Sequence, residues 1–186
     1  PAPLLQRGDR LDVAGQETHI VDKAYRLGCD YEKRYGGCCQ CTVAALQDAF
    51  ACVTADVGLF RAASCLDGGA TPTGIQNCGS FTGAGMIIGY LCGRTRAEIF
   101  FGDKTLSQEL MRQLCQRFTE RYGSVLCKDV RAAAAGDCPR VVGLAAQWTA
   151  EVLLTAFADY QASASASPQP KEPPPPEPAD DASQGG

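Results

Sequence analysis

Histidine is almost missing from this chain: 186 residues contain one, His19. A Ser-His-Asp or Cys-His catalytic arrangement would rest on that single residue, near an expected helix start and with no partner in view. No Cys-x-x-Cys-His run occurs, which excludes covalent c-type haem. Basic runs are lacking too. The formal net charge is −4, and the last 24 residues hold Glu172, Glu177, Asp180 and Asp181 against one Lys171, so the rest is close to neutral. Such a body has no electrostatic footprint for nucleic acid. The most apolar run, residues 86–92, is far short of the roughly 20 residues a helix needs to cross a bilayer, and membrane insertion is not expected. The glycine-rich stretch over 79–89 has neither a preceding strand nor a Lys-Ser/Thr ending, which speaks against a phosphate-cradling loop.

Cysteine, by contrast, is abundant, with eleven in the chain. A domain of this length buries a core without disulfide staples, the count is odd, and the spacings do not resemble a small secreted scaffold. Reduced thiols, metal ligands or a switching disulfide are therefore expected. The chain begins at Pro1 without an initiator Met or apolar leader, so loss of a leader is an expectation, and the compartment stays open between cytoplasm and periplasm.

Apolar residues recur at helical steps in four stretches: Ile20, Ala24, Leu27, Tyr31; Val43, Leu46, Phe50, Val53; Leu106, Leu110, Leu114, Phe118; and Val141, Ala145, Trp148, Val152. A fifth helix is expected over about residues 79–91. Gly83, Gly85 and Gly89 each weaken it by roughly 1 kcal/mol relative to Ala, a cost usually accepted where another backbone or a cofactor comes close. Thr105 with Gln108 reads as a capping box, Pro139 as a first helical position capped by Asp137 or Cys138, and Gly123 as a stop. Residues 68–74 are the longest internal loop signal. The predicted fold is all-α: a compact bundle of five to seven helices over 18–162, an N-terminal extension over 1–17, and both ends loose. Residues 163–186 hold seven of the eleven prolines and no large apolar side chain, so a disordered Pro/Ser/acidic tail is expected there.

Four thiols stand apart because small or flexible residues surround them: Cys38, Cys78, Cys127 and Cys138. Cys38, Cys78 and Cys138 fall in the first turn of expected helices, where the helix dipole and free N–H groups favour thiolate, and Cys127 would complete a set of four. Four thiolates suit an iron–sulfur cluster or a structural zinc site with four cysteine ligands, and two of them suffice for a dithiol–disulfide couple. Cys41 makes a Cys-x-x-Cys pair with Cys38 and is a secondary candidate, as is Cys39 between them. Cys29, Cys52, Cys65, Cys92 and Cys115 lie in apolar or helical stretches and read as small hydrophobic filler. Gly79 and Gly83 are the positions where a cofactor would approach backbone.

The order of blocks carries a resemblance. Tyr31-Glu32, Gly36-Gly37-Cys38, Gln40-Cys41, Gly68-Gly69, Cys78-Gly79 with Gly83, Tyr122-Gly123-Ser124 through Cys127-Lys128-Asp129, and Cys138-Pro139 with Val142-Gly143 follow one another as in the C_GCAxxG_C_C family of redox-active proteins, which the chain resembles over about residues 20–158. The resemblance puts the family cysteines on Cys38, Cys78, Cys127 and Cys138. A similar domain occurs in split-Soret cytochromes, where an iron–sulfur cluster accompanies haem, and without a haem motif only the cluster half carries over. Ser80 stands where the family has Ala, and Cys39 where Ser is expected, so Cys39 competes as a ligand. The function this implies is electron transfer through an iron–sulfur cluster, with thiol–disulfide exchange and a structural zinc domain held by four cysteines as alternatives. The redox partner is not legible, and a homodimer sharing a cluster stays open.

Overall fold

The computed structural model describes residues 5–13, 15–50, 55–70 and 72–161. Among these are seven α-helices: α1 Glu17–Tyr35, α2 Cys38–Ala49, α3 Val57–Ala62, α4 Gly79–Cys92, α5 Thr105–Tyr122, α6 Cys127–Ala133 and α7 Cys138–Phe157. Short 3-10 turns follow α3 and α4, at Ala63–Cys65 and Arg96–Glu98. The only β-type pairing among the described residues is an isolated antiparallel bridge between Asn77 and Leu126. The all-α bundle expected from periodicity is what forms. The proline-rich segment, Cys52 and the proposed helical position Val53 lie outside the described residues.

α7 is the axis of the bundle. Its apolar residues run nearly all round it, and over 141–154 every residue but Trp148 is buried, as befits a helix enclosed by neighbours. It packs against α1, α2, α4 and α5. The core around it is filled by Phe50, Phe118, Phe157, Leu46, Ile87, Ile88, Leu114 and Leu153, all less than 2 % exposed. Against α1 the packing reaches backbone. A Cβ on Gly28 would lie 2.9 Å from both the Gly143 Cα and the Val142 carbonyl, and one on Gly143 would run into the Cys29 sulfur, so glycine on both helices sets how close they lie. Facing α5, the buried Glu151 carboxylate pairs with Arg117 and accepts from the Gln147 amide at 3.1 Å. A buried carboxylate needs such partners, because an uncompensated charge there costs several kcal/mol.

The helix ends follow the sequence signals in part. Asp137 caps α7, accepting from the Arg140 N–H at 3.2 Å with Pro139 in the first turn, and Gly123 closes α5 in the left-handed conformation (φ 75°). The Thr105–Gln108 capping box does not form. Asp103 takes the cap instead, accepting from the Thr105 N–H at 2.8 Å and its hydroxyl at 2.6 Å, since a carboxylate at that point satisfies both donors. A true capping box joins Thr95 and Glu98. The N-terminal stretch, expected to be loose, is held: Leu5 N–H donates to Leu91 O at 2.7 Å, Leu11 N–H to Phe157 O at 2.8 Å, and Leu5 is buried in the core. Two apolar side chains and two backbone bonds are enough to order it.

Candidate thiol site

Each of the four singled-out cysteines stands at a helix start. Cys38, Cys127 and Cys138 are the first residues of α2, α6 and α7, and Cys78 caps α4. Only Gly36 and Gly37, with φ of 67° and 85°, separate α1 from α2. That tight reversal lays Cys38 back against the last turn of α1, where Glu32 sits. Cys78 and Cys127 are brought together by backbone: flanking the Asn77–Leu126 bridge, Cys78 N–H donates to Val125 O and Cys127 N–H to Gln76 O, both at 2.8 Å, and Lys128 N–H to Gly74 O at 2.9 Å. Gly74 and Gln76 are thereby stitched to the start of α6. Cys138 arrives on α7, eleven residues beyond Cys127.

All four cysteines border one cavity of about 170 Å³, together with Glu32, Asp67 and Arg131 and the apolar floor of Val130, Val141 and Val142. Cys78 is buried, with Sγ 3.0 Å from the Ser80 hydroxyl, while Cys38, Cys127 and Cys138 are half-buried. Cys39 and Cys41 do not border it. The Cys39 thiol turns away to Met86 Sδ at 3.8 Å, and Cys41 donates to the Gly36 carbonyl at 3.0 Å and bonds Glu32. Gly79 and Gly83 make close approaches, but to α2 and the preceding loop. A Cβ on Gly79 would strike the Cys38 sulfur and lie 3.0 Å from Leu66 O; one on Gly83 would lie 2.5 Å from Cys39 O. They seat α4 on α2 and so place Cys38 and Cys78 side by side, rather than lining the cavity themselves. His19 is exposed on the first turn of α1.

Thiol acidity runs opposite to expectation. Burial pushes the Cys38 thiol up to about 12, opposed by a backbone hydrogen bond from Gly68 and reinforced by the charges of Cys78, Glu32 and Asp67. Cys127 and Cys138 are also raised by burial first, with Arg131 pulling both the other way. Cys39 and Cys41 are pushed to about 12 as well, by burial and then by nearby acids. A helix start favours thiolate by roughly 1 kcal/mol, which desolvation and flanking carboxylates outweigh. At neutral pH Cys38, Cys127 and Cys138 rest as protonated thiols.

Sequence reasoning missed Glu32, Asp67 and Arg131 as cavity residues. Glu32 Oε2 is buried without a hydrogen-bond partner among the described residues, and burial raises its carboxyl above the usual range although the Cys41 thiol works against this. The available signal was the two-glycine turn: an acid four residues before it must face whatever starts the next helix. Arg131 lies four residues after Cys127, on the same face of α6.

Among the described residues, no three His, Cys, Asp or Glu side chains are gathered closely enough to hold a metal ion at one point. The thiols surround a void instead. A family model described as "Putative redox-active protein (C_GCAxxG_C_C)" matches residues 37–152, a span that takes in all four cavity cysteines. No curated protein and no solved structure matches the chain.

Proposed function

We propose that this chain, which belongs to the C_GCAxxG_C_C family of redox-active proteins, is an electron-transfer protein in which Cys38, Cys78, Cys127 and Cys138 hold an iron–sulfur cluster. The observation that carries this reading is the single cavity of about 170 Å³ bordered by those four thiols. A lone zinc ion sits about 2.3 Å from each sulfur, which needs four thiolates drawn to a point, whereas a cluster with several metal centres fills a space between ligands. The donor set fits as well, being sulfur from four helix starts with no histidine. When bound, such a cluster supplies a one-electron couple whose potential follows burial and the hydrogen bonds around its sulfurs.

The residues divide the remaining work. Cys38, Cys127 and Cys138, protonated at rest, must each release a proton when they ligate metal, so loading depends on pH. Arg131 offsets the negative charge that collects as thiolates form. Val130, Val141 and Val142 exclude water from one side, and the Ser80 hydroxyl lies within bonding reach of the Cys78 sulfur. Thiol–disulfide exchange with Cys38 or Cys78 as the attacking group is the second reading; its attacking group must be a thiolate, and burial works against this at Cys38.

Anaerobic purification followed by iron and acid-labile sulfide analysis tests this. Iron with matching sulfide, absorbance in the visible range and a paramagnetic signal on reduction or oxidation are expected. A colourless protein with neither element after reconstitution removes the reading, and stoichiometric zinc from native cells replaces it with a structural site of four cysteine ligands.

A further inference from the structure

Beside the thiol cavity, between the 68–74 loop and α6 with the turn that follows it, opens a wider cleft of about 550 Å³. Spaces of that size suit a small molecule. Its charged lining consists of Lys128 and Arg131, and among the described residues no carboxylate borders it, although the protein as a whole carries −4. Asp67, Asp129 and Asp137, each next in sequence to a lining residue, lie outside the lining, Asp67 bordering the adjoining thiol cavity. Gly68, Cys127 and Arg131 border both the cleft and the thiol cavity.

We propose that this cleft binds a small anion bearing a carboxylate or phosphate group, held by Lys128 and Arg131 against the Cys127 edge of the thiol site. Two cations with no lining acid make a concave patch of one sign, which concentrates anions and rejects cations. The flat guanidinium fork of Arg131 matches either oxyanion with paired hydrogen bonds, and Lys128 adds a point charge. Thr73 on the opposite wall offers a hydroxyl for orientation. The inference rests on the redox reading for what the anion is for, and not for its binding.

Calorimetric titration of the purified protein, its iron content measured on the same batch, tests this with inorganic phosphate and, separately, succinate at constant ionic strength. Saturable binding is expected, the tighter of the two anions identifying the ligand's acidic group. Lys128→Gln and Arg131→Gln should each weaken binding about tenfold, the cost of one charged hydrogen bond, and Arg131→Lys should restore part of it. Arg96→Gln, on an exposed turn elsewhere, should leave affinity unchanged. Binding that is absent for both anions, or equal in the wild type and the Lys128→Gln/Arg131→Gln pair, overturns the proposal. Saturable binding by a protein that takes up no iron leaves the cleft standing and removes the cluster; iron without binding does the reverse.

Discussion

At Cys138, α7 begins on the rim of a cavity of about 170 Å³; at Gly143, five residues on, its backbone lies directly against Gly28 of α1. The same helix thus borders open space and packs backbone to backbone within two turns. A chain able to bring Cα onto carbonyl at the second place has the means to close the first. Protein interiors are close-packed, so an open space framed by four thiols beside such a seam is a sharp contrast within one helix. The two regions also differ in what an added atom meets: at the seam a Cβ runs into backbone, and at the cavity it has open space.

That contrast can be broken in order of expected effect. Cys78→Ala should abolish iron uptake almost completely while leaving the helical circular dichroism spectrum in place; retained iron would show that the cavity thiols are not the ligands. On the packed side, Arg117→Ala strands the buried Glu151 carboxylate and should cost about 3 kcal/mol in a urea titration without changing iron per folded molecule. Gly28→Val, which forces a side chain into the Gly143 backbone, should cost about 2 kcal/mol, overpacking being offset in part by better helix propensity. Cys138→Val, placed beside Val141 and Val142, should instead raise metal-free stability by roughly 0.5–1 kcal/mol, one extra buried methyl group, while cutting iron binding. A gain in stability with loss of cofactor is the signature that separates a functional void from poor packing.

A further contrast is with pH. In the folded metal-free protein Cys38, Cys39, Cys41 and Cys92 are pushed up to about 12 by burial, whereas an unfolded thiol titrates near 8.5. The folded chain therefore holds more protons than the unfolded one above that pH. The contribution of these thiols is complete below about pH 8 and is lost progressively as pH rises from about 8.5 toward 12. Urea midpoints of the reduced metal-free protein, flat from about pH 7 to 8 and falling by about pH 9.5, would check the direction; a rising midpoint would contradict it.

Much of the fold is legible in the residues alone. Helical spacing locates α1, α2, α5 and α7 because apolar residues recur in each at steps of three and four, and glycine, proline and aspartate mark several of their ends. The four cysteines are separable from the rest by their small neighbours, which are the residues a helix start needs. Two things are not legible, for a common reason. Thiol acidity is set by desolvation and by Glu32 and Asp67, which come near Cys38 only after the chain folds. Likewise Gly83 signals a close approach without saying to what, and the answer is the Cys39 carbonyl of α2. Local sequence shows that a position is special; which neighbour makes it so is a property of the tertiary arrangement.

The arrangement of the four sulfurs also sets a timetable. Cys38 leaves the ribosome first, but the cavity has no fourth wall until Cys138 follows a hundred residues later, and α7, which carries it, is the principal partner of α1, the first of the seven helices among the described residues. A nascent chain exposing Cys38 and Cys78 alone would offer metal an incomplete site. On the proposed reading, capture of a cofactor belongs after synthesis, to a finished chain that has already closed on itself.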